Sequence, residues 1–162
     1  MSGLPVSDTE LATLFEAARW APSSSNEQPW RFVYAKRDTK HWQEFFNLLV
    51  EGNKAWCVNA SVLIITLSKK TWDEDDSLNE THSFDTGAAW QNLALQGTAL
   101  GLVVHGIGGF DYDKARQLLA LPDSFSVEMM IAFVKLGKIE DLPEKYRARD
   151  TEQAQRNRRI RI

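Results

Sequence analysis

The sequence has few of the residues on which several classes of protein depend. A single cysteine, Cys57, in 162 residues excludes an intramolecular disulfide and fits a reducing compartment, so we expect a cytoplasmic location. With one cysteine and three histidines, a dedicated zinc site is not expected. The longest apolar run, SVLIITL at 61–67, is far too short to cross a bilayer. The first residues also lack the basic and apolar regions of a secretion signal, so we expect no membrane partner.

The net charge is small, and positive charge is concentrated at one end of the chain. The formal net charge is −3 and the pI is near 5.6, which argues against a nucleic-acid partner. Residues 147–162, however, hold six arginines against two acidic residues. This stretch is either a solvated tail or an arm that meets a phosphate group, to which the planar guanidinium is suited.

Hydrophobic periodicity predicts alternating helices and strands. Leu11, Leu14 and Ala18 recur at helical spacing after Ser7, and Glu10 completes the pattern of a capping box. The full set is helices at 7–21, 41–52, 84–102 and 111–121 and strands at 31–36, 61–68, 102–107 and 127–137. The continuous apolar run at 61–68 is expected at the centre of a sheet. The interleaving indicates an α/β or α+β fold in one domain spanning 1–162, with 145–162 as a basic C-terminal arm.

The segment PSSSNEQP at 22–29 carries more hydrogen-bonding groups than a connection needs. It follows the first predicted helix, which Pro22 ends, and it precedes the strand RFVYAK. Three serines, an asparagine and a glutamine stand between its two prolines. Either these side chains cap the local backbone, or they hold a polar ligand.

A glycine-rich turn, HGIGGF at 105–110, follows one predicted strand and precedes a helix. It is not a G-x-G-x-x-G motif, because Asp111 occupies the place of the third glycine, and no P-loop lysine follows. A dinucleotide-binding or P-loop site is therefore not favoured. Either the glycines supply a turn that needs a positive φ, or their bare backbone N–H groups approach a flat ligand.

Three other groups of reactive side chains have a simpler interpretation. His82 and Asp85 flank a serine, but no nucleophile elbow is present, so they are interpreted as helix-start capping. Cys57 is interpreted as a small buried hydrophobe. The acidic run at 73–76 lacks the spacing of a calcium loop and is interpreted as a solvated loop. The polar bend, the glycine turn, Asn53 and the arginine-rich tail remain, and they suit an organic cofactor that carries the chemistry itself.

Four segments resemble motifs of the nitroreductase-like FMN flavoproteins. They are EAARWAPSSSNEQPWRF at 16–32, THSFDTGAAWQNLALQGTALGL at 81–102, HGIGGFDYDKARQLLALPD at 105–123 and LPEKYRARD at 142–150. They occur in the family's order, and the match spans about residues 5–150. The resemblance implies an α+β fold built as an α/β/α sandwich, with a mixed central sheet flanked by helices. It also implies a homodimer with two FMN molecules at its interface. Gly97 and Gly101, four residues apart, would let a helix approach closely.

The resemblance assigns cofactor contacts by position. The bend after the first helix would reach the FMN bound mainly by the other subunit. Asn53 would meet the pyrimidine edge of the flavin, and the turn after the strand at 102–107 would present backbone N–H groups near flavin N5. Basic residues near the C-terminus would bind the phosphate. The implied contacts are Pro22, Ser23, Ser24 and Asn26 in the bend, Asn53, Ile107, Gly108 and Gly109 around the flavin, and Arg158 and Arg159 at the phosphate, with Arg156 as a further candidate.

The implied activity is that of an FMN-dependent oxidoreductase. NAD(P)H would deliver a hydride to flavin N5, leave, and be replaced by a small-molecule acceptor, by default a nitroaromatic or a quinone, with no catalytic side chain required. Two alternatives remain open. The chain begins MSGLPVSDTEL, without the Arg-x-Ser-x-Arg motif that precedes the first helix in the family, which leaves a cofactor-poor or non-enzymatic dimer. A related flavin-dependent reaction such as dehalogenation is the other, although the loop at 69–83 is short for a lid.

Overall fold

The computed structural model describes residues 3–135, together with 137, 140 and 144. In chain order, the described elements are α1 (Asp8–Arg19), a 3-10 turn (Ser24–Asn26), β1 (Trp30–Lys36), α2 (Trp42–Leu48), α3 (Glu51–Cys57), β2 (Val62–Lys69), α4 (His82–Ala99), β3 (Leu102–Ile107), α5 (Tyr112–Leu118) and β4 (Phe125–Lys135). None of the described helices is both long and apolar enough to cross a membrane. The arm predicted at 145–162 lies outside the described residues.

The four strands form one sheet in the order β1-β2-β4-β3. Every neighbouring pair in it is antiparallel. The mixed sheet that was expected is therefore not found among the described strands. β2 lies between β1 and β4 and is buried along Val62–Ser68, which confirms the prediction of a central strand covered on both faces.

Helices cover both faces of the sheet, so the predicted α/β/α sandwich is confirmed. On one face, α1 and α4 pack against the sheet around Leu14, Ile64, Leu93 and Phe133. On the other face, side chains of α2, α3 and α5 form a second core with the alternate residues of the same strands. This alternation follows from the two-residue period of a strand, which sends successive side chains to opposite faces.

The predicted capping box at the start of α1 is present. Ser7 Oγ accepts a hydrogen bond from the Glu10 N–H at 3.1 Å, and the Ser7 N–H donates to Glu10 Oε2 at 2.7 Å. The small residues of α4 allow close packing within the same chain. A Cβ added at Gly97 would lie 2.3 Å from Val104 Cγ2 and 3.5 Å from Leu14 Cδ2, so this glycine admits the chain's own β3 and α1.

The helix predicted at 41–52 is two helices. Leu49 and Val50 between them are extended, with ψ values of 143° and 154°. Leu49 pairs with Phe110 in an isolated antiparallel bridge, and the Val50 N–H donates to the Gly109 carbonyl at 3.2 Å. This long-range pairing overrides the helical periodicity, and it places Asn53 in the first turn of α3.

Candidate functional site

The turn after β3 lies against the side chain of Asn53. Asn53 Nδ2 donates to the Gly109 carbonyl oxygen at 2.9 Å. Trp56, one helical turn later in α3, donates its Nε1–H to Asn53 Oδ1 at 3.1 Å. Each amide atom thus has one fixed partner, which sets the orientation of the amide. Within the described residues, one Nδ2 hydrogen and one Oδ1 lone pair have no partner, and both can bind a ligand.

Gly109 is required by this close approach. An added Cβ would lie 2.6 Å from Asn53 Nδ2 and 3.2 Å from Val50 Cγ2. The φ of Gly109 is not positive, nor is that of Gly108, so the positive-φ alternative for this turn is wrong. The Gly109 N–H donates no hydrogen bond within the described part of the chain.

The other residues predicted in this turn have different surroundings. Ile107 is the last residue of β3, and its side chain is buried in the core, so only its backbone is placed for a ligand. Gly108 is exposed, and a Cβ there would have only the Tyr112 hydroxyl oxygen near it, at 4.0 Å. Trp56 packs on His105 of β3 with ring centroids 4.5 Å apart, which fixes the indole that holds Asn53. Sequence reasoning had not given Trp56 this role.

One side chain of the polar bend caps the local backbone, and others are placed to bind a ligand, so each interpretation from the sequence applies to part of the segment. Ser23 Oγ accepts from the Gln28 N–H at 3.0 Å, so this serine caps the local backbone. The Ser24 hydroxyl and the Asn26 amide form no hydrogen bond with any described residue, and both side chains are exposed, as is Pro22. These groups are therefore available to a ligand or to a partner.

Asp85 holds the bend in place, a role that the sequence did not reveal. Its side chain is buried, and Oδ2 accepts from the Ser24 N–H at 3.0 Å and from the Thr81 hydroxyl at 2.9 Å. The interpretation of Asp85 as a helix-start cap is therefore wrong. Ser24 is 61 residues away in sequence, so the only local signal was an acidic residue in the first turn of α4. His82 does not cap the helix start either, because its ring bonds to Ser68 of β2.

The bend and the Asn53–Gly109 contact lie far apart within one chain. The bend leads into β1 and the glycine turn leaves β3, and these strands are the two edges of the described sheet. Three strand spacings separate the edges, roughly 14 Å at about 4.8 Å each. Both segments lie toward the end of the sheet at which β4 begins.

Cys57 and the acidic loop behave as the sequence indicated. Cys57 is fully buried, and burial raises the pKa of its thiol to about 12, as expected for a packed hydrophobe. In the acidic loop, Asp73 pairs with Lys69 and Asp75 with Ser77. The described residues include no group of side chains arranged to bind a metal. Arg156, Arg158 and Arg159 lie outside the described residues.

Comparison with known proteins agrees with this architecture. Residues 3–138 match the model of the nitroreductase family. A crystal structure described as an oxidoreductase containing FMN is 44% identical, with a TM-score of 0.86, over 91% of this chain and 76% of that one. A second structure, provisionally named a nitroreductase in complex with FMN, from Desulfovibrio desulfuricans, is 29% identical, with a TM-score of 0.68, over 83% and 77%. An Archaeoglobus fulgidus protein with the provisional name NADH dehydrogenase/NAD(P)H nitroreductase is 27% identical over 90% of this chain and 81% of its own. The chain belongs to the nitroreductase family.

Proposed function

We propose that this protein is an FMN-dependent oxidoreductase that passes electrons from NAD(P)H to an organic acceptor such as a nitroaromatic or a quinone. Membership of the family supports the proposal, as do FMN in the 44% identical structure and NAD(P)H in the name of the Archaeoglobus relative. The observation that carries it is the Gly109 N–H, which donates no hydrogen bond within the described residues and lies beside the oriented amide of Asn53.

The residues around Gly109 fit the flavin ring chemically. The pyrimidine edge of a flavin offers the N3–H as a donor and O2 as an acceptor. The remaining Oδ1 lone pair and Nδ2 hydrogen of Asn53 complement that pair. The backbone of Ile107, Gly108 and Gly109 would face the redox-active centre, with the Gly109 N–H toward N5. When bound, FMN supplies the hydride chemistry at N5, and the protein binds and orients the ring.

Several further contacts belong to the same proposal. Pro22, Ser23, Ser24 and Asn26 would line the flavin from the bend. Arg158 and Arg159, with Arg156 as a further candidate, would bind the phosphate through charge-assisted hydrogen bonds. A cytoplasmic location is also proposed, because Cys57 is a lone buried thiol. A single domain over 1–162 is proposed because the family match covers residues 3–138.

We infer that one cofactor is shared by two chains in a homodimer. A flavin that touched both the bend and the Asn53–Gly109 contact of a single chain would have to extend across the whole sheet edge to edge. Two copies of the chain remove this difficulty, since the bend of one can reach the flavin of the other. An exposed apolar stripe supports association: Phe84 and Leu95 of α4 are 82% and 60% exposed. They are three helical turns apart and therefore lie on one face of the helix.

The test of this proposal is subunit complementation. Asn53→Ala should weaken FMN binding, and so should the double variant Ser24→Ala/Asn26→Ala. If the site is shared, co-expression of the two variants yields heterodimers in which one site keeps both intact halves. The mixture should therefore bind FMN more tightly than either variant alone, measured by quenching of flavin fluorescence. Asn59→Ala, an exposed substitution just after α3, is the control and should leave binding unchanged.

FMN binding by the wild-type protein tests the enzymatic proposal, and restoration of binding in the mixture tests the shared site. Purified wild-type protein should show flavin absorption in the visible range, which NAD(P)H bleaches without oxygen. A wild-type protein that binds no FMN would overturn the enzymatic proposal and favour the non-enzymatic alternative. FMN binding without restoration in the mixture, or a monomer in sedimentation at micromolar concentration, would overturn the shared site.

A further inference from the structure

A second polar cluster connects α4 to the two central strands. It consists of His82 and Ser83 from α4, Ser68 from β2 and Glu128 from β4. His82 Nδ1 lies 2.7 Å from Ser68 Oγ and 3.3 Å from Ser83 Oγ. Glu128 Oε1 accepts a hydrogen bond from Ser83 Oγ at 2.6 Å and a short one from Ser68 Oγ. Ser68 is fully buried, whereas 17% of the His82 side chain is exposed.

The hydrogen-bond roles in this cluster fix the tautomer of His82. Each serine hydroxyl has one proton. Both protons point to the carboxylate of Glu128, because an ionised carboxylate accepts hydrogen bonds and cannot donate one. The hydroxyl oxygens therefore face His82 Nδ1 with their lone pairs, so Nδ1 carries a hydrogen. His82 exchanges its other proton through Nε2, which forms no hydrogen bond with the described residues.

This arrangement is not that of a hydrolase triad. In a triad, the hydroxyl and the carboxylate bond to opposite nitrogens of the imidazole. In the present cluster, Ser68 stands between the imidazole and the carboxylate on the Nδ1 side, and it is inaccessible to a substrate. The cluster therefore orients His82 and leaves Nε2 as its reactive atom.

His82 lies near the bend, which is proposed to meet the cofactor of the partner subunit. Asp85, one turn along α4 from His82, bonds to the Ser24 N–H of that bend. Ser68, which binds its ring, pairs with Trp30, the first residue of β1 after the bend. Glu128 is two residues before Met130, which pairs with Ile107 at the end of β3. The cluster thus occupies the two central strands, between the edge strands that carry the bend and the glycine turn.

The charged groups near the ring come from β4, α4 and the end of β2. Glu128 of β4 is the charged group that approaches it, with Oε1 3.6 Å from Nδ1. In α4, Asp85 is one turn away, with its carboxylate bonded to Ser24 and Thr81. At the end of β2, Lys69 is paired with Asp73.

We propose that His82 donates the proton that the organic acceptor needs when it is reduced at this site. The inference rests on the proposed function. Reduction of a quinone to a hydroquinone adds a hydride, which the reduced cofactor supplies, and a proton. The proton comes from Nε2 of the protonated imidazole to the acceptor oxygen. The ring is left neutral with its hydrogen on Nδ1, and water returns the proton to Nε2 before the next turnover. Ser68 and Glu128 act as positioning residues.

The first test needs no cofactor. Long-range proton–nitrogen NMR of the ¹⁵N-labelled apoprotein above pH 8 should show the neutral His82 ring with its hydrogen on Nδ1. His41 and His105 are internal references. In the Ser68→Ala variant the preference for this tautomer should weaken. A hydrogen on Nε2 in the wild-type protein would overturn the inference whatever the protein binds.

The second test uses two substitutions that separate structure from proton transfer. In His82→Asn the amide nitrogen can take the place of Nδ1 and keep the bond to Ser68, but nothing replaces Nε2. In His82→Gln the amide nitrogen corresponds to Nε2 instead, and it cannot transfer a proton. Stopped-flow measurement separates reduction by NAD(P)H from reoxidation by a benzoquinone. Reduction and FMN affinity should match the wild type in the Asn variant.

The rate of reoxidation by the quinone decides whether His82 donates a proton or has only a structural role. In the wild type its rate constant should fall as the pH is raised, because the protonated imidazole is the donor. Both variants should lose this pH dependence and react roughly 100-fold more slowly at pH 6. The exposed control His41→Asn should keep the wild-type profile. A wild-type profile in His82→Asn would reduce His82 to a structural role and overturn the inference, while the proposed function would stand. A wild-type protein that FMN does not bind would overturn both.

Discussion

Substitution of Gly109 by alanine tests the geometry on which the proposed site depends. The new Cβ would lie 2.6 Å from Asn53 Nδ2, a separation that real side chains do not adopt. The Asn53 amide must therefore move, and its hydrogen bonds to the Gly109 carbonyl and from Trp56 Nε1 must lengthen or break. Val50 Cγ2, at 3.2 Å from the new Cβ, crowds it further.

The magnitude follows from these contacts. Loss of one partly buried hydrogen bond costs about 1 kcal/mol, and crowding a packed site by one methyl group costs about 1–3 kcal/mol. We therefore expect the free energy of unfolding of the apoprotein to fall by about 2 kcal/mol or more. In a domain of this size that corresponds to a melting temperature roughly 4–8 °C lower. Displacement of the Asn53 amide should also weaken FMN binding about tenfold, since one polar contact is lost.

Gly108→Ala is the matched control. It adds the same methyl group one residue earlier, where only the Tyr112 hydroxyl oxygen lies near, at 4.0 Å, and where φ is not positive. Its melting temperature should stay close to that of the wild type. The measurements are thermal melts of both apoproteins by circular dichroism and FMN titrations by fluorescence quenching. Equal melting temperatures for the two variants would refute the close-approach argument for Gly109.

Two further predictions concern the ends of the chain. Replacing both Arg158 and Arg159 with alanine should weaken FMN binding by roughly tenfold or more per lost phosphate contact and reduce its salt dependence. The control Arg19→Ala should do neither, and unchanged affinity of the double variant at low salt would contradict a phosphate-binding role. Hydrogen bonds from the backbone and hydroxyl of Ser7 lower the pKa of Glu10 in the folded protein. The stability that this carboxylate adds is therefore present above its ordinary pKa of 4.5 and lost as the pH falls through the lowered folded value. Glu10→Gln should cost about 1 kcal/mol or less near neutral pH and almost nothing in strong acid, by urea unfolding; the same loss at both pH values would contradict it.

Elements specified by local residues could be predicted from the sequence, and those set by distant pairing could not. The capping box of α1 depends on Ser7 and Glu10 alone, and β2 is an apolar run whose length and composition already indicate a buried strand. The break between α2 and α3 depends instead on the bridge between Leu49 and Phe110, 61 residues apart in sequence. Periodicity continues through Leu49 because this residue is buried in either arrangement.

The candidate site divides in the same way. Asn53 and Gly109 were indicated by the family resemblance, and the structure places them in direct contact. The roles of Asp85 and Trp56 were not predicted, because each acts on another site residue and not on a ligand. A side chain that orients a neighbour leaves no signature in composition or spacing. Such residues become visible only when donors and acceptors are traced through the folded chain.

The conformation of the bend is itself an argument that it does more than connect α1 to β1. Ser25, Asn26 and Gln28 all have positive φ values, of 50°, 57° and 52°. A non-glycine residue in that region costs on the order of 1 kcal/mol, and asparagine somewhat less. The buried carboxylate of Asp85 and the hydroxyl of Ser23 both bond to the backbone of this segment, and these bonds hold the strained conformation. In this conformation the Ser24 and Asn26 side chains are exposed, and their polar groups have no partner among the described residues. This conformation therefore supports the proposal that the bend presents Ser24 and Asn26 to a bound flavin.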